Sequence, residues 1–199
     1  MKLSVITINY NNIAGLEKTF KSVWEQTLND FEYIVIDGAS NDGSEHLVLQ
    51  HADKISYWVS EPDKGVYDAM NKGILKATGE YCIFMNSGDC FYSNDVVENV
   101  TPHLNGTDII YGNTHYTDGK IRYSKDEPPY FSFFYISGWA HQATFIKTEL
   151  LKKYMYDDSY KIVSDWKFLL QVVIKDNCTC LSIDQNISLF DATGISSTN

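Results

Sequence analysis

Residues 83-IFMNSGDCF-91 hold the question on which the fold turns. With Cys82 before them, Ile83 to Met85 read as the end of a buried strand, and the apolar run stops abruptly in Asn86, Ser87, Gly88 and Asp89. In open α/β sheets, ligands bind outside the carboxyl ends of the strands. A hydrophobic strand that delivers a small polar turn and a lone carboxylate is a candidate for such an edge, provided other strands end the same way.

Working back from this stretch, short apolar runs alternate with helical patterns. Lys2 to Ile8 reads as a buried strand, followed by a helix with Leu16, Phe20, Val23 and Trp24 on one face. Phe31 to Ile36 is the next strand and 44-SEHLVLQHA-52 the next helix. Ile55 to Val59 follows as a strand, Val66 to Ala77 as a helix with Val66, Ala69, Met70, Gly73 and Ile74 inward, and Tyr81 to Met85 as the fourth strand. The alternation predicts an α/β protein with a largely parallel sheet and helices on both faces.

Working forward, the pattern loosens. Asp95 to Leu104 reads as a short helix, Asp108 to Tyr111 as a strand, and 115-HYTDGKIRY-123 as a hairpin around Asp118-Gly119. The aromatic segment 130-YFSFFYISGW-139 reads as irregular, 142-QATFI-146 as a strand, and 164-SDWKFLLQVVI-174 as a helix with Ser164 at its N-cap. Thr179 to Ile183 and Ile187 to Phe190 read as two closing strands, and the ending GISSTN, which lacks a structural stop, suggests a shortened C-terminus.

At 199 residues and 44% hydrophobic composition, the chain suits one well-packed core, so residues 1–199 are expected to form a single domain. No apolar run approaches the ~18 to 20 residues that span a bilayer, and Leu3 to Ile8 is too short for a signal peptide, which makes the cytoplasm the expected compartment. The cysteines Cys82, Cys90, Cys178 and Cys180 show no CxxC spacing and read as reduced thiols. A net charge of -10 opposes nucleic acid as a partner, and it requires that any phosphorylated ligand be neutralised locally.

The strand ends agree with one another. After the first strand comes 9-NYNN-12, after the second 37-DGASNDGS-44, after the third 60-SEPDKG-65 and after the fourth 86-NSGD-89. Each stretch alone is explained by turn formers and helix caps. Together they place polar groups of four strands at one edge of the sheet.

At this point the sequence resembles a family 2 glycosyltransferase of the GT-A fold, from Leu3 to about Ser197. The resemblance is carried by 4-SVITINYNN-12 with 15-GLEKTFKSVWEQT-27, 34-IVIDGASNDGS-44, 63-DKGVYDAMNKGILKATGEYCIFMNSGD-89, 139-WAHQATF-145 and 164-SDWKFLL-170. It implies a Rossmann-like three-layer α/β/α sandwich with a mostly parallel mixed central sheet, residues 1–90 forming the donor half and 91–199 the acceptor half. It also implies inverting transfer of a sugar, a hexose by expectation, from a UDP- or GDP-sugar to a hydroxyl on a glycan or lipid-linked glycan, as in surface polysaccharide synthesis. A lipid-linked acceptor would bring the protein to the inner membrane face, with contact through the aromatic 130s or through residues beyond a shortened C-terminus.

The resemblance also distributes roles. The strand tip matches the D-x-D element, in which a carboxylate holds Mg²⁺ or Mn²⁺ against the donor diphosphate; Asn86 and Gly88 replace two acids of the fuller motif and leave Asp89 as the metal ligand. Asp37 is implied to accept a hydrogen bond from the base, with Asn9, Tyr10 and Asn11 bordering the base pocket. Lys64, Asp68, Asn71, Asn86 and Ser87 complete the donor side, and Trp139, His141 and Gln142 line the acceptor side. Asp165 falls at the position of the catalytic base. A sugar-phosphate nucleotidyltransferase would carry a glycine-rich basic loop after the first strand, and an NAD-linked enzyme a GxGxxG; neither is present. A noncatalytic nucleotide-sugar binding module is the remaining alternative.

Overall fold

The computed structural model describes residues 2–191. The proposed C-terminal shortening concerns residues outside that range. Strand β1 (Leu3–Asn9), helix α1 (Ile13–Trp24), β2 (Phe31–Asp37), α2 (Ser44–Gln50), β3 (Tyr57–Ser60), α3 (Val66–Lys76) and β4 (Tyr81–Phe84) form the first half in the expected alternation. The second half comprises β5 (Cys90–Phe91), α4 (Val96–Val100), β6 (Ile109–Tyr116), β7 (Ile121–Arg122), α5 (Phe131–Ile136), β8 (Thr144–Lys147), α6 (Thr148–Tyr154), α7 (Ser164–Leu169) and β9 (Cys180–Phe190). All strands join one sheet of order β3-β2-β1-β4-β8-β6-β9-β5, with β7 paired to β6. The strands β3, β2, β1 and β4 run parallel, whereas β8 lies antiparallel to both of its neighbours.

Alternation along β1 and β2 builds two cores. Leu3, Val5, Tyr33, Val35 and Ile83 face one side, where Leu16, Phe20 and Val23 of α1 and Val48 of α2 cover them. Ile6, Ile8, Ile34, Ile36 and Phe84 face the other, under Met70 and Ile74 of α3, Leu151 of α6 and Phe168 of α7. Side chains that alternate across a strand and are apolar on both faces dictate a sheet covered twice, which is the three-layer sandwich. The register then matters for function. Asn9 pairs with Asp37, and Asp37 with Ser60, so the polar ends of β1, β2 and β3 lie side by side.

The second half departs from expectation at several points. The two closing strands are one strand, β9, whose polar middle bulges against β6 between Tyr111 and Thr114. Asn113 holds the bulge by donating to Asp184 at 3.1 Å and Asn186 at 3.2 Å. The 130s are not wholly irregular, because α5 forms within them; α6 and β5 lack clear sequence signals. Residues 141–143 form a 3₁₀ turn rather than strand, and the helix after Asp95 is α-helical only to Val100 before a 3₁₀ turn that holds Pro102. Ser164 is not the N-cap of α7. Val163 takes that position with φ of 74°, while the Ser164 hydroxyl accepts the Asp157 N–H at 2.7 Å.

Candidate active site

At the carboxyl edge of the sheet, Asp37 is fully buried and saturated. Its Oδ1 accepts Asn9 Nδ2 at 2.7 Å and Ser40 Oγ at 2.6 Å, and its Oδ2 accepts the Ser40 N–H at 2.9 Å and Ser60 Oγ at 2.7 Å. A carboxylate offers about four lone-pair sites, and all are taken. In this structure Asp37, expected as the acceptor for a base N–H, ties β1, β2 and β3 together, and its solvent exposure is 0%. Asn9 belongs to the same knot, since its Oδ1 accepts Ser87 Oγ at 2.7 Å. Asn11, at φ of 48°, donates its N–H to Ser40 Oγ and accepts the Asn41 N–H, which clasps the loops after β1 and β2.

Beside this knot lies a more open surface. Tyr10 is 64% exposed, and its ring flanks Gly38 opposite Asp63. A Cβ on Gly38 would lie 2.5 Å from Asp63 Oδ2 and 3.1 Å from Tyr10 Cδ2, so a larger residue here would displace the Asp63 carboxylate. Asp63 Oδ1 accepts the Gly65 N–H at 2.8 Å. Burial, with help from the charges of Asp68 and Asp37, raises its carboxyl above the ordinary range despite that bond and the pull of Lys72. Sequence reading passed over Asp63, although it stands in the 63-DKGVYDAMN-71 segment.

The turn after β4 is pinned from below and above. Thr19 of α1 donates to the Asn86 and Asp89 carbonyls, Lys18 donates to the Gly88 carbonyl at 2.8 Å, and Gly88 adopts φ of 104°. Asp89 is 5% exposed, its Oδ2 accepting Gln142 Nε2 at 3.0 Å and its Oδ1 the Asp191 N–H at 3.0 Å. Burial raises its pKa, and the Asp191 carboxylate adds to the rise against the opposing hydrogen bonds and His141. Among the described residues no three His, Cys, Asp or Glu side chains gather closely enough to hold a metal ion by themselves. A divalent cation here would depend on phosphate and water oxygens for most of its ligands.

Asn86 Nδ2 meets His141 Nε2 at 3.0 Å, and His141 Nδ1 meets Asp165 Oδ2 at 3.4 Å. Asp165 Oδ1 accepts the Tyr67 hydroxyl at 2.8 Å and the Trp166 N–H at 2.9 Å. The chain Asn86–His141–Asp165–Tyr67 thus joins the tip of β4 to the starts of α7 and α3. Burial alone would raise the Asp165 pKa, but His141, Tyr67 and the Trp166 N–H together hold it below the ordinary carboxylate value. With its side chain still 27% exposed, Asp165 is an ionised carboxylate that a ligand can reach. Asn86 Oδ1 is buried without a hydrogen-bond partner, an acceptor left over at the strand tip.

Other expected positions fall elsewhere. Trp139 is 4% exposed, stacks on Tyr111 at 4.0 Å and donates to the Glu127 carbonyl, so it is a core residue rather than an acceptor-lining ring. Gln142 is 2% exposed and braces Asp89, which removes it from the acceptor surface. Asn71 brackets the backbone of Tyr156, donating to its carbonyl at 2.8 Å and accepting its N–H at 2.9 Å, and is not directed at a nucleotide. Asp68 accepts the Lys64 N–H and lies 3.8 Å from Lys72, while Lys64 lies 3.4 Å from Asp158. These charges stabilise the loop before α3. Tyr67 went unnoticed because its partner Asp165 lies far along the chain and no local pattern links the two.

Comparison with known proteins agrees with this architecture. Residues 4–163 match the family described as Glycosyl transferase family 2. An uncharacterized glycosyltransferase of Mycobacterium tuberculosis is 33% identical over 98% of this chain and 77% of its own length. A PGL/p-HBAD biosynthesis glycosyltransferase of Mycobacterium bovis is 27% identical over 83% of this chain and 67% of its own. Among solved structures, Staphylococcus aureus TarS 1-349 in complex with UDP superposes with a TM-score of 0.81 at 18% identity, covering 96% of this chain and 60% of that one. The Pyrobaculum calidifontis mannosyltransferase PcManGT with GDP-Man and Mn²⁺ gives 0.71 at 18% identity, covering 95% and 56%. The chain therefore spans less than two thirds of either solved structure, and the likeness to them establishes the GT-A fold.

Proposed function

The chain belongs to glycosyl transferase family 2, and from that premise we propose that it transfers a hexose, with inversion, from a nucleoside diphosphate sugar to a hydroxyl of a glycan or glycolipid acceptor. The observation that carries the reading is the accessible, ionised Asp165 linked through His141 to the tip of β4. Solved relatives of the same fold bind UDP, UDP-GlcNAc and GDP-Man, which supports a UDP- or GDP-sugar as donor. A PGL/p-HBAD biosynthesis relative supports a glycolipid or polysaccharide product.

In this reading the base lies against Tyr10, and Asp63 rather than Asp37 accepts its N–H, because the lone pairs of Asp37 are already committed. The free Asn86 Oδ1 accepts a donor hydroxyl. Asp165 removes the proton of the acceptor hydroxyl as that oxygen bonds to the anomeric carbon from the far side. The bond from the anomeric carbon to the phosphate oxygen breaks, and its electron pair leaves with the nucleoside diphosphate. Two neighbouring carboxylates, Asp89 and Asp191, lie against the glycine turn, and these oxygen donors would hold Mg²⁺ or Mn²⁺. When bound, the cation supplies the positive charge that stabilises the leaving group.

The test is Asp165→Asn, with transfer and donor binding measured on one preparation. A general base contributes little to holding the donor, so turnover should fall by ~10² to 10⁴ with donor affinity unchanged. Turnover at the parent rate would remove Asp165 from the mechanism, and a parent protein that binds donor without transferring to any acceptor would favour a binding module.

A further inference from the structure

The segment 66-VYDAMN-71 was expected to face the nucleotide through Asp68 and Asn71. Its contacts lead instead to the acceptor half. Tyr67 is 7% exposed, its hydroxyl lies 2.8 Å from Asp165 Oδ1, and its ring packs 5.6 Å from that of Tyr156. Asn71, one turn on, grips both backbone groups of Tyr156, whose ring is also wedged near Phe84 and Phe168. The loop leading to α7 is thus anchored on α3 at two points. Burial and the charge of Asp165 raise the Tyr67 pKa, so the phenol remains a proton donor to the carboxylate.

The two oxygens of Asp165 are consequently unlike. Oδ1 receives two good hydrogen bonds, from Tyr67 and from the Trp166 N–H, while Oδ2 has the single long contact with His141 at 3.4 Å. Resting on Asp165 as the base, we infer that Tyr67 is a positioning residue of the transfer reaction: its hydroxyl occupies Oδ1, fixes the carboxylate plane, and leaves Oδ2 as the oxygen that takes the acceptor proton. Tyr67 comes from the donor half and Asp165 from the acceptor half. The base is therefore oriented by the helix that follows β3 and the loop containing Asp63.

The groups that face Asp165 are Tyr67 from α3, His141 from the turn before β8, and Tyr156 from the loop before α7. Only the first donates to Oδ1 through a removable hydroxyl. Tyr67→Phe keeps the ring and its packing on Tyr156 while deleting that donor. Because the hydroxyl holds the Asp165 carboxyl down, its loss should move the carboxyl titration to higher pH and carry the acidic limb of kcat upward with it. Turnover should fall about tenfold with the donor KM within about twofold of the parent, as for an interaction made in the transition state. The carboxyl titration is read by ¹³C NMR without substrate, alongside kcat and KM for a UDP-sugar. An unshifted titration in Tyr67→Phe would overturn the inference, as would a shifted one with parent turnover and an unmoved acidic limb. If Asp165→Asn keeps parent activity while the Tyr67→Phe titration shifts, the contact stands and the assignment of the base fails, so the two readings are separable.

Discussion

Asp37 and Asp165 are both carboxylates at the edge of an element, yet their surroundings give them opposite work. Asp37 receives four hydrogen bonds and no solvent, while Oδ2 of Asp165 has the 3.4 Å contact with His141 and 27% of the side chain is exposed. Removing Asp37 takes the acceptor from Ser60 and from both donors of Ser40, and leaves Asn9 Nδ2 only its 3.2 Å bond to Ser40 Oγ. An unsatisfied buried donor costs about 1 to 3 kcal/mol, so Asp37→Ala should lower stability by roughly 3 kcal/mol or more, part of the stranded donors being recovered by water. Urea denaturation measures this directly, and a loss below about 1 kcal/mol would show that Asp37 is not the knot. The sequence marks Asp37 as a strand-end acid, but it cannot count the donors that three strands and a turn bring to that acid. Asp165 was recognisable from its segment, whereas its partner Tyr67 was visible only once α3 and α7 had been placed together.

At the scale of elements, α3 shows why packing overrides propensity. The helix spans Val66–Lys76, within a residue of the span its period predicts, and Gly73 lies on its buried face against β1. By helix propensity alone, Gly73→Ala should gain about 0.8 to 1 kcal/mol. The new Cβ would sit 2.6 Å from Cγ2 of Ile6, a fully buried side chain with no room to retreat. Overpacking of this kind costs about 1 to 3 kcal/mol, so Gly73→Ala should destabilise by roughly 1 kcal/mol and push α3 outward, carrying Tyr67 away from Asp165. Thermal melting with a transfer assay checks both parts; a stabilised variant with parent turnover would refute the close-packing argument. The first four strands and three helices were legible because the strands are short apolar runs and the helices carry an apolar face of period 3.6. The later elements were not. β9 hides behind the polar run Asp184-Gln185-Asn186, in which Asp184 and Asn186 serve the bulge, and α5 and α6 are single short stretches whose partners are distant in sequence.

Across the whole molecule, the segments before and after residue 90 share one sheet and two common cores. Residues 1–90 contain a parallel four-stranded unit, but β4 is flanked by β8 from the other half, and β5 pairs with β9. The core beneath α1 includes Phe145, Ile183 and Ile187 from beyond residue 90, and the core beneath α3 includes Leu151, Tyr156 and Phe168. Cutting the chain after residue 90 would uncover one edge of β4 and much of the apolar surface of both cores. Separate folding requires a core that a segment completes by itself, and neither half has one. The whole chain should therefore unfold in one cooperative urea transition, with circular dichroism and tryptophan fluorescence coinciding. Residues 1–90 expressed alone should show a broad, shallow change instead. A sharp transition in the isolated segment would mean that residues 1–90 fold independently, and the coupling of Tyr67 to Asp165 would then be a contact between two domains rather than a property of one core.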